Sequence, residues 1–171
     1  MTPSLSLNEW TVLALLGEGA AHGFALAREL EPTSDLGRIF MVHRPLVYRA
    51  LSRVVALGLA EPHLTEPGVA GPRRTQHRLT HTGRAAVAAW LATPVDHVRD
   101  LRIEFLLKLR LNERSHLDHS KLVHHQQAAL ADTINQLIEV GQDADVVDLW
   151  RRQNALATSA FLTSLNKGVQ P

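Results

Sequence analysis

The chain has 171 residues, 45% of them apolar and 20% charged, with a formal net charge of +1, enough for one good core or for a small domain with a helical appendage. It contains no cysteine, which excludes disulfides, thiolate metal sites and thiol catalysis. The opening MTPSLSLNEW lacks the basic start of a signal peptide and no stretch approaches the roughly 20 apolar residues of a membrane span, so a cytoplasmic protein with no membrane partner is expected.

Ser6 followed three residues later by Glu9 is a capping box, and it opens an apolar helix through Trp10, Val12, Leu13, Leu15 and Leu16. Gly17 and Gly19 end it. His22 and Gly23 lead into a second short helix, FALARELE, which Pro32 stops. Residues 32–44 are rich in turn formers and read as a loop. Pro45 suits the first turn of a third helix, where its missing N–H costs nothing. There Val47, Ala50, Leu51, Val54 and Leu57 recur at steps of three and four and share one apolar face. Tyr48, Arg49, Ser52, Arg53 and Ala56 fall on the other face, and Gly58 supplies a stop. Two extended runs follow, Ala60–Thr65 and Arg73–Thr80, around a loop with Pro67, Gly68, Gly71 and Pro72. Thr80 or Thr82 can cap a fourth helix carrying Ala86, Val87, Trp90 and Leu91.

After Pro94 the character changes, which divides the chain into residues 1–94 and 95–171. Residues 96–111 predict a helix with Val98, Leu101, Phe105 and Leu109 at helical spacing. Residues 115–140 and 144–167 predict two long helices. Leu130, Ile134, Leu137 and Ile138 would face Val146, Leu149, Trp150, Ala157, Ala160 and Phe161. Such an arm, without a core of its own to fill, would bury its stripes against the same arm of a second subunit. The expected fold is mainly α with one small β-hairpin: a winged helix-turn-helix followed by a helical dimerisation arm.

Between residues 38 and 84 stand eight arginines (38, 44, 49, 53, 73, 74, 78 and 84) against Glu61 and Glu66, a local excess of six positive charges. A positive patch confined to one module is the footprint of a phosphate-binding surface. A helix with an apolar back and a Tyr/Arg/Ser/Arg front suits a major groove, with the basic hairpin as a wing on the backbone. On this reading Arg49, Ser52 and Arg53 read bases, while Arg44, Tyr48, Arg73, Arg74 and His77 hold phosphates. Arg78 and Arg84 flank the wing and can pair with Glu61 or stay solvated.

The segments LSLNEWTVLALLGEGAAHGFALARELE, VYRALSRVVALGLAE and RLTHTGRAAVAAWL resemble the PadR family of transcriptional regulators, and in looser outline the similarity extends over the whole chain. The carriers are His22-Gly23, the Tyr48-x-Ala50-Leu51 helix and the join Leu79-Thr80-His81-Thr82-Gly83-Arg84. The resemblance implies a homodimeric repressor on a palindromic double-stranded DNA operator, in many members released by a small aromatic or amphipathic effector. It also implies that Tyr48, Arg73 and Arg74 face DNA. Val47 and Arg49 depart from the leucine and proline that flank the tyrosine in many members, and Thr75-Gln76-His77 stands where the wing often carries tyrosines.

Other readings stand beside these. Trp10, Trp90 and Trp150 can line an effector pocket or serve as core and interface anchors. His116 and His119, one helical step apart, can present imidazoles to Zn or Ni, but nothing completes a ligand set and a solvated helix face accounts for them as well. No metal or cofactor is expected. Neither a phosphate-cradling glycine motif, a Gly-x-Ser-x-Gly elbow nor an HExxH is present, so no enzyme is expected. A winged-helix adaptor that binds only protein is the alternative function, and the basic helix and wing argue against it.

Overall fold

A computed structural model describes residues 4–66, 74–139 and 144–168. The chain forms two compact units, Met1–Leu91 and Ala92–Pro171.

In the first unit, α1 (Leu7–Glu18) starts at the predicted capping box: Glu9 N–H donates to Ser6 Oγ at 3.4 Å and Ser6 N–H to Glu9 Oε2 at 2.6 Å. Every residue from Thr11 to Leu16 is buried, so α1 is the central rod of this unit, and the one polar group among them, Thr11 Oγ1, donates back to Leu7 O at 2.7 Å. Short α2 (Gly23–Arg28) and α3 (Arg44–Ala56) pack together, and α3 also lies on α1. The buried face of α3 is Val47, Ala50, Leu51 and Val54, and burying each of the larger ones contributes about 1.5–3 kcal/mol. Leu57, expected on this face, is the C-cap and only half-buried. Gly58 follows at φ 69°, a conformation that favours glycine.

Strand β1 (Ala60–Glu66) pairs antiparallel with β2 (Arg74–Leu79), Ala60 opposite Leu79 and Glu66 opposite Arg74, with a register shift between Pro62 and Leu64. Thr80 then caps α4 (His81–Ala92): its Oγ1 accepts from Gly83 N–H at 3.0 Å while donating to Gly58 O at 2.8 Å. Gly83 allows this join, because a Cβ there would stand 1.9 Å from the Leu59 carbonyl oxygen.

The second unit corrects several expectations. The helix expected over 96–111 is broken into a 3-10 turn, Val98–Arg102, and α5 (Glu104–Arg114), with Ile103 between them at φ −120°, ψ −69°. The helical spacing survives the break, since Leu101, Phe105 and Leu109 are all buried. The unit also has the core that the sequence reading denied it: Val95, Phe105, Leu109, Leu122, Val123, Leu130, Ile134, Ala155 and Leu162 pack as one cluster. This core forms where α6 (Ser120–Ile138) and α7 (Val146–Gly168) pack on each other, with the 3-10 turn against α5 and α7. The inward face of α7 is Ala155 and Leu162, joined by half-buried Phe161 and Leu165; Val146, Leu149, Trp150, Ala157 and Ala160 are exposed instead. Apolar residues occur all round this helix, so spacing alone does not fix its phase.

Candidate nucleic-acid interface

The front of α3 carries the residues that the sequence singled out. Arg44, Tyr48, Arg49, Ser52 and Arg53 are all exposed. Arg49 and Arg53, four residues apart, stand on one face of the helix. Among the described residues none of Arg44, Arg49 and Arg53 forms an ion pair, whereas Arg78 is committed to Glu61 at 2.9 Å. Arg84 donates to Leu79 O at 2.9 Å. Arg78 and Arg84 are thus engaged within the unit while Arg44, Arg49 and Arg53 form no ion pair, a distinction that the local charge count does not make. Arg73 lies outside the described residues.

Beside α3 runs a cleft of about 630 Å³, lined by His22, Gly23, Phe24, Tyr48, Ser52 and Arg74 among others. Three elements build it. His22 is the N-cap of α2, its Nδ1 accepting from Ala25 N–H at 3.0 Å, and this bond turns the chain so that Gly23 meets α3. Tyr48 lies against Gly23, where an added Cβ would stand 2.6 Å from the ring. Tyr48 nevertheless remains 43% exposed. The third element is the wing, which Ala21 pins in place: Ala21 N–H donates to His77 O at 3.0 Å and His77 N–H to Ala21 O at 2.8 Å.

The same pinning sets the surroundings of His77. Its Nδ1 is buried without a hydrogen-bond partner. Desolvation holds its pKa below the ordinary histidine value, the Thr75 backbone opposing this only in part. The backbone of His77 thus holds the wing to the body of the unit, while its imidazole is half-buried.

Phe24 was not among the residues drawn from the sequence. It is exposed, and Arg44 Cζ lies 4.8 Å and Arg74 Cζ 5.9 Å from its ring centroid.

Of the tryptophans, Trp10 and Trp90 stack on each other in the first unit, with centroids 5.5 Å apart and planes 1° from parallel. Trp90 is buried, which favours an anchoring role for that pair. Trp150 belongs to the second unit and lines a groove of about 700 Å³ with Arg99, Arg102, Leu106, Leu137 and Phe161. His116 and His119 do not share a helical face: His116 has φ 53° in the turn after α5, and His119 is the N-cap of α6. Asp118 between them is engaged by Ser120, whose N–H and Oγ donate to its two carboxylate oxygens at 2.8 and 2.9 Å and hold its pKa down. Among the described residues no group of three His, Asp or Glu side chains could hold a metal, and no helix is long and apolar enough to cross a membrane.

A helix with an unpaired cationic front, seated beside a two-stranded wing on a three-helix body, defines a winged helix-turn-helix domain. The profile of the transcriptional regulator PadR-like family matches residues 12–89, so this segment is a PadR-like domain. Among solved structures, Bacillus subtilis PadR in complex with operator DNA aligns over 95% of this chain and 99% of its own, at 16% identity and a TM-score of 0.51. The same protein in complex with p-coumaric acid aligns over 93% and 96%, at 16% identity and a TM-score of 0.45. The protein smu.1604c from Streptococcus mutans UA159 aligns over 91% and 96%, at 15% identity and a TM-score of 0.46. The likeness to the first of these is one of fold. No curated protein sequence matches the chain significantly.

Proposed function

We propose that the protein is a homodimeric repressor that binds a palindromic operator in double-stranded DNA. The observation that carries this reading is the exposure of Arg44, Arg49 and Arg53 on α3, free of ion pairs among the described residues. Leaving three cations unpaired on one helix has a use where phosphates and base edges neutralise them. Two copies of α3 would enter successive major grooves about 34 Å apart, with the wings on the flanking backbone. Arg49, Ser52 and Arg53 read bases. Arg44, Tyr48, Arg73, Arg74 and His77 hold phosphates. A small aromatic or amphipathic effector would act by changing the spacing of the two helices, a coupling between sites through the geometry of the dimer. The groove beside Trp150, apolar along Leu106, Leu137 and Phe161 with Arg99 and Arg102 on its lining, supports a flat effector bearing a negative charge.

The test is fluorescence anisotropy with labelled DNA from upstream of the protein's own gene, beside a scrambled duplex, at two salt concentrations. Preferential, salt-sensitive binding to the upstream DNA is expected. Arg53→Ala should then cost about 1–3 kcal/mol and relax sequence preference, whereas Arg74→Ala should weaken both duplexes alike and flatten the salt slope. Absence of binding to either duplex at low salt would return the adaptor reading to the front.

A further inference from the structure

Phe24 occupies an unusual place for its residue type. Its neighbours on α2, Leu26 and Ala27, turn into the core, while Phe24 is 37% exposed at the mouth of the cleft. Two arginines from separate elements reach it: Arg44 is the first residue of α3 and Arg74 the first of β2, with Cζ atoms 4.8 and 5.9 Å from the ring centroid. Both distances lie within the range in which the negative face of an aromatic ring attracts a guanidinium. Two like charges brought to one ring repel each other, and a phosphate oxygen offered to both removes that repulsion. A guanidinium lying on a ring also keeps its N–H edge free, which is the edge that recognises phosphate.

We propose that Phe24 is a positioning residue of the DNA interface, whose ring holds Arg44 and Arg74 together as one clamp for the DNA backbone. The proposal rests on the reading that this face of the unit binds DNA, and adds how the recognition helix and the wing are made to act together. Two long, flexible side chains on elements distant in sequence would otherwise lose their rotamer freedom only on binding. The ring orders them beforehand. Because the ligand is the phosphate backbone, the contribution is independent of sequence and any duplex reads it out.

The experiment uses the full chain and a labelled mixed-sequence duplex of about 30 base pairs, with affinity followed between about 50 and 200 mM salt. Phe24→Leu keeps the apolar bulk and removes the ring. It should weaken binding by about five- to twentyfold and flatten the salt slope, the effect of two lost ring–cation contacts. Phe24→Trp should bind at least as tightly as the wild type, since indole is the stronger partner. In an Arg44→Gln/Arg74→Gln background neither change at position 24 should matter, because the ring acts through those side chains. The proposal is overturned if Phe24→Leu binds like the wild type, if its loss persists in the arginine-free background, or if the salt slope is unmoved. The Trp arm retains the ring, and its dependence on the two arginines decides the question even if the Leu variant folds poorly. A wild-type chain that binds no duplex at all would remove this proposal and the functional reading together. Binding that Arg44→Gln weakens and Phe24→Leu does not would remove this proposal alone.

Discussion

His77, drawn from the sequence as a phosphate contact, has a structural setting as well. Its backbone is bonded to Ala21 in both directions while its Nδ1 is buried unpaired. Folding therefore favours the neutral imidazole, with a pKa below the ordinary 6.5. The unfolded chain takes up a proton near that value and the folded chain only at lower pH. Between the two the unfolded state binds more protons, so stability rises with pH across this window and is lost as pH falls below about 6.5. Urea melts at about pH 7.5 and about pH 5.5 should show a larger acid loss for the wild type than for His77→Gln. Equal losses would assign the acid sensitivity to other histidines. The sequence offered no sign of this role. The Ala21 bridge joins positions far apart in the chain, and a histidine in a basic hairpin looks like one more cation. Phe24 was hidden for the same reason: an aromatic at the start of a short helix has the pattern of a core anchor, and only its contacts with Arg44 and Arg74 reveal another use.

Among the secondary-structure elements, the connection that follows α4 is tied down by side chains rather than by secondary structure. Gln126 on α6 is fully buried and binds both backbone groups of Val95, its Oε1 accepting from Val95 N–H at 2.7 Å and its Nε2 donating to Val95 O at 2.9 Å. Lys108, 1% exposed, donates to Thr93 O at 2.8 Å and pairs with Glu104 at 2.8 Å. Replacing Gln126 by Leu would keep the bulk while orphaning a buried N–H and a buried C=O. The expected cost is about 2–3 kcal/mol, read as a lower denaturation midpoint at an unchanged slope. A loss below about 0.5 kcal/mol would mean that Val95 finds other partners. Neither residue is conspicuous in the sequence, where Gln126 looks like one more polar position on an amphipathic helix. What was legible at this scale was local: the Ser6/Glu9 box, the proline-started α3 and the Thr80 cap each lie within a few residues of what they stabilise. The break at Ile103 and the phase of α7 were not, because the apolar spacing runs unbroken through the first and lies all round the second.

For the whole molecule, the proposed repressor needs two recognition helices, since a single α3 can read only one half-site. The second unit satisfies its own core through Ala155 and Leu162, yet α7 still carries exposed Leu149 (48%) and Leu156 (39%) seven residues apart. Residues at that interval share a helix face and can form a seam with an equivalent helix. An isologous contact between two such seams would place the two winged domains under one twofold axis, the symmetry of a palindrome. Leu149→Glu combined with Leu156→Glu sets like charges facing each other across this seam while leaving the inward face of α7 untouched. Sedimentation equilibrium should show a dimer for the wild type and a monomer for the variant, with helical content and unfolding of the single chain preserved. The monomer should retain weak, salt-dependent binding through its single basic face and lose its preference for paired half-sites over one half-site. A variant that remains dimeric would move the interface off this face of α7. One that becomes monomeric but keeps its preference for the palindrome would separate operator recognition from dimerisation, and the spacing mechanism proposed for the effector would fall with it.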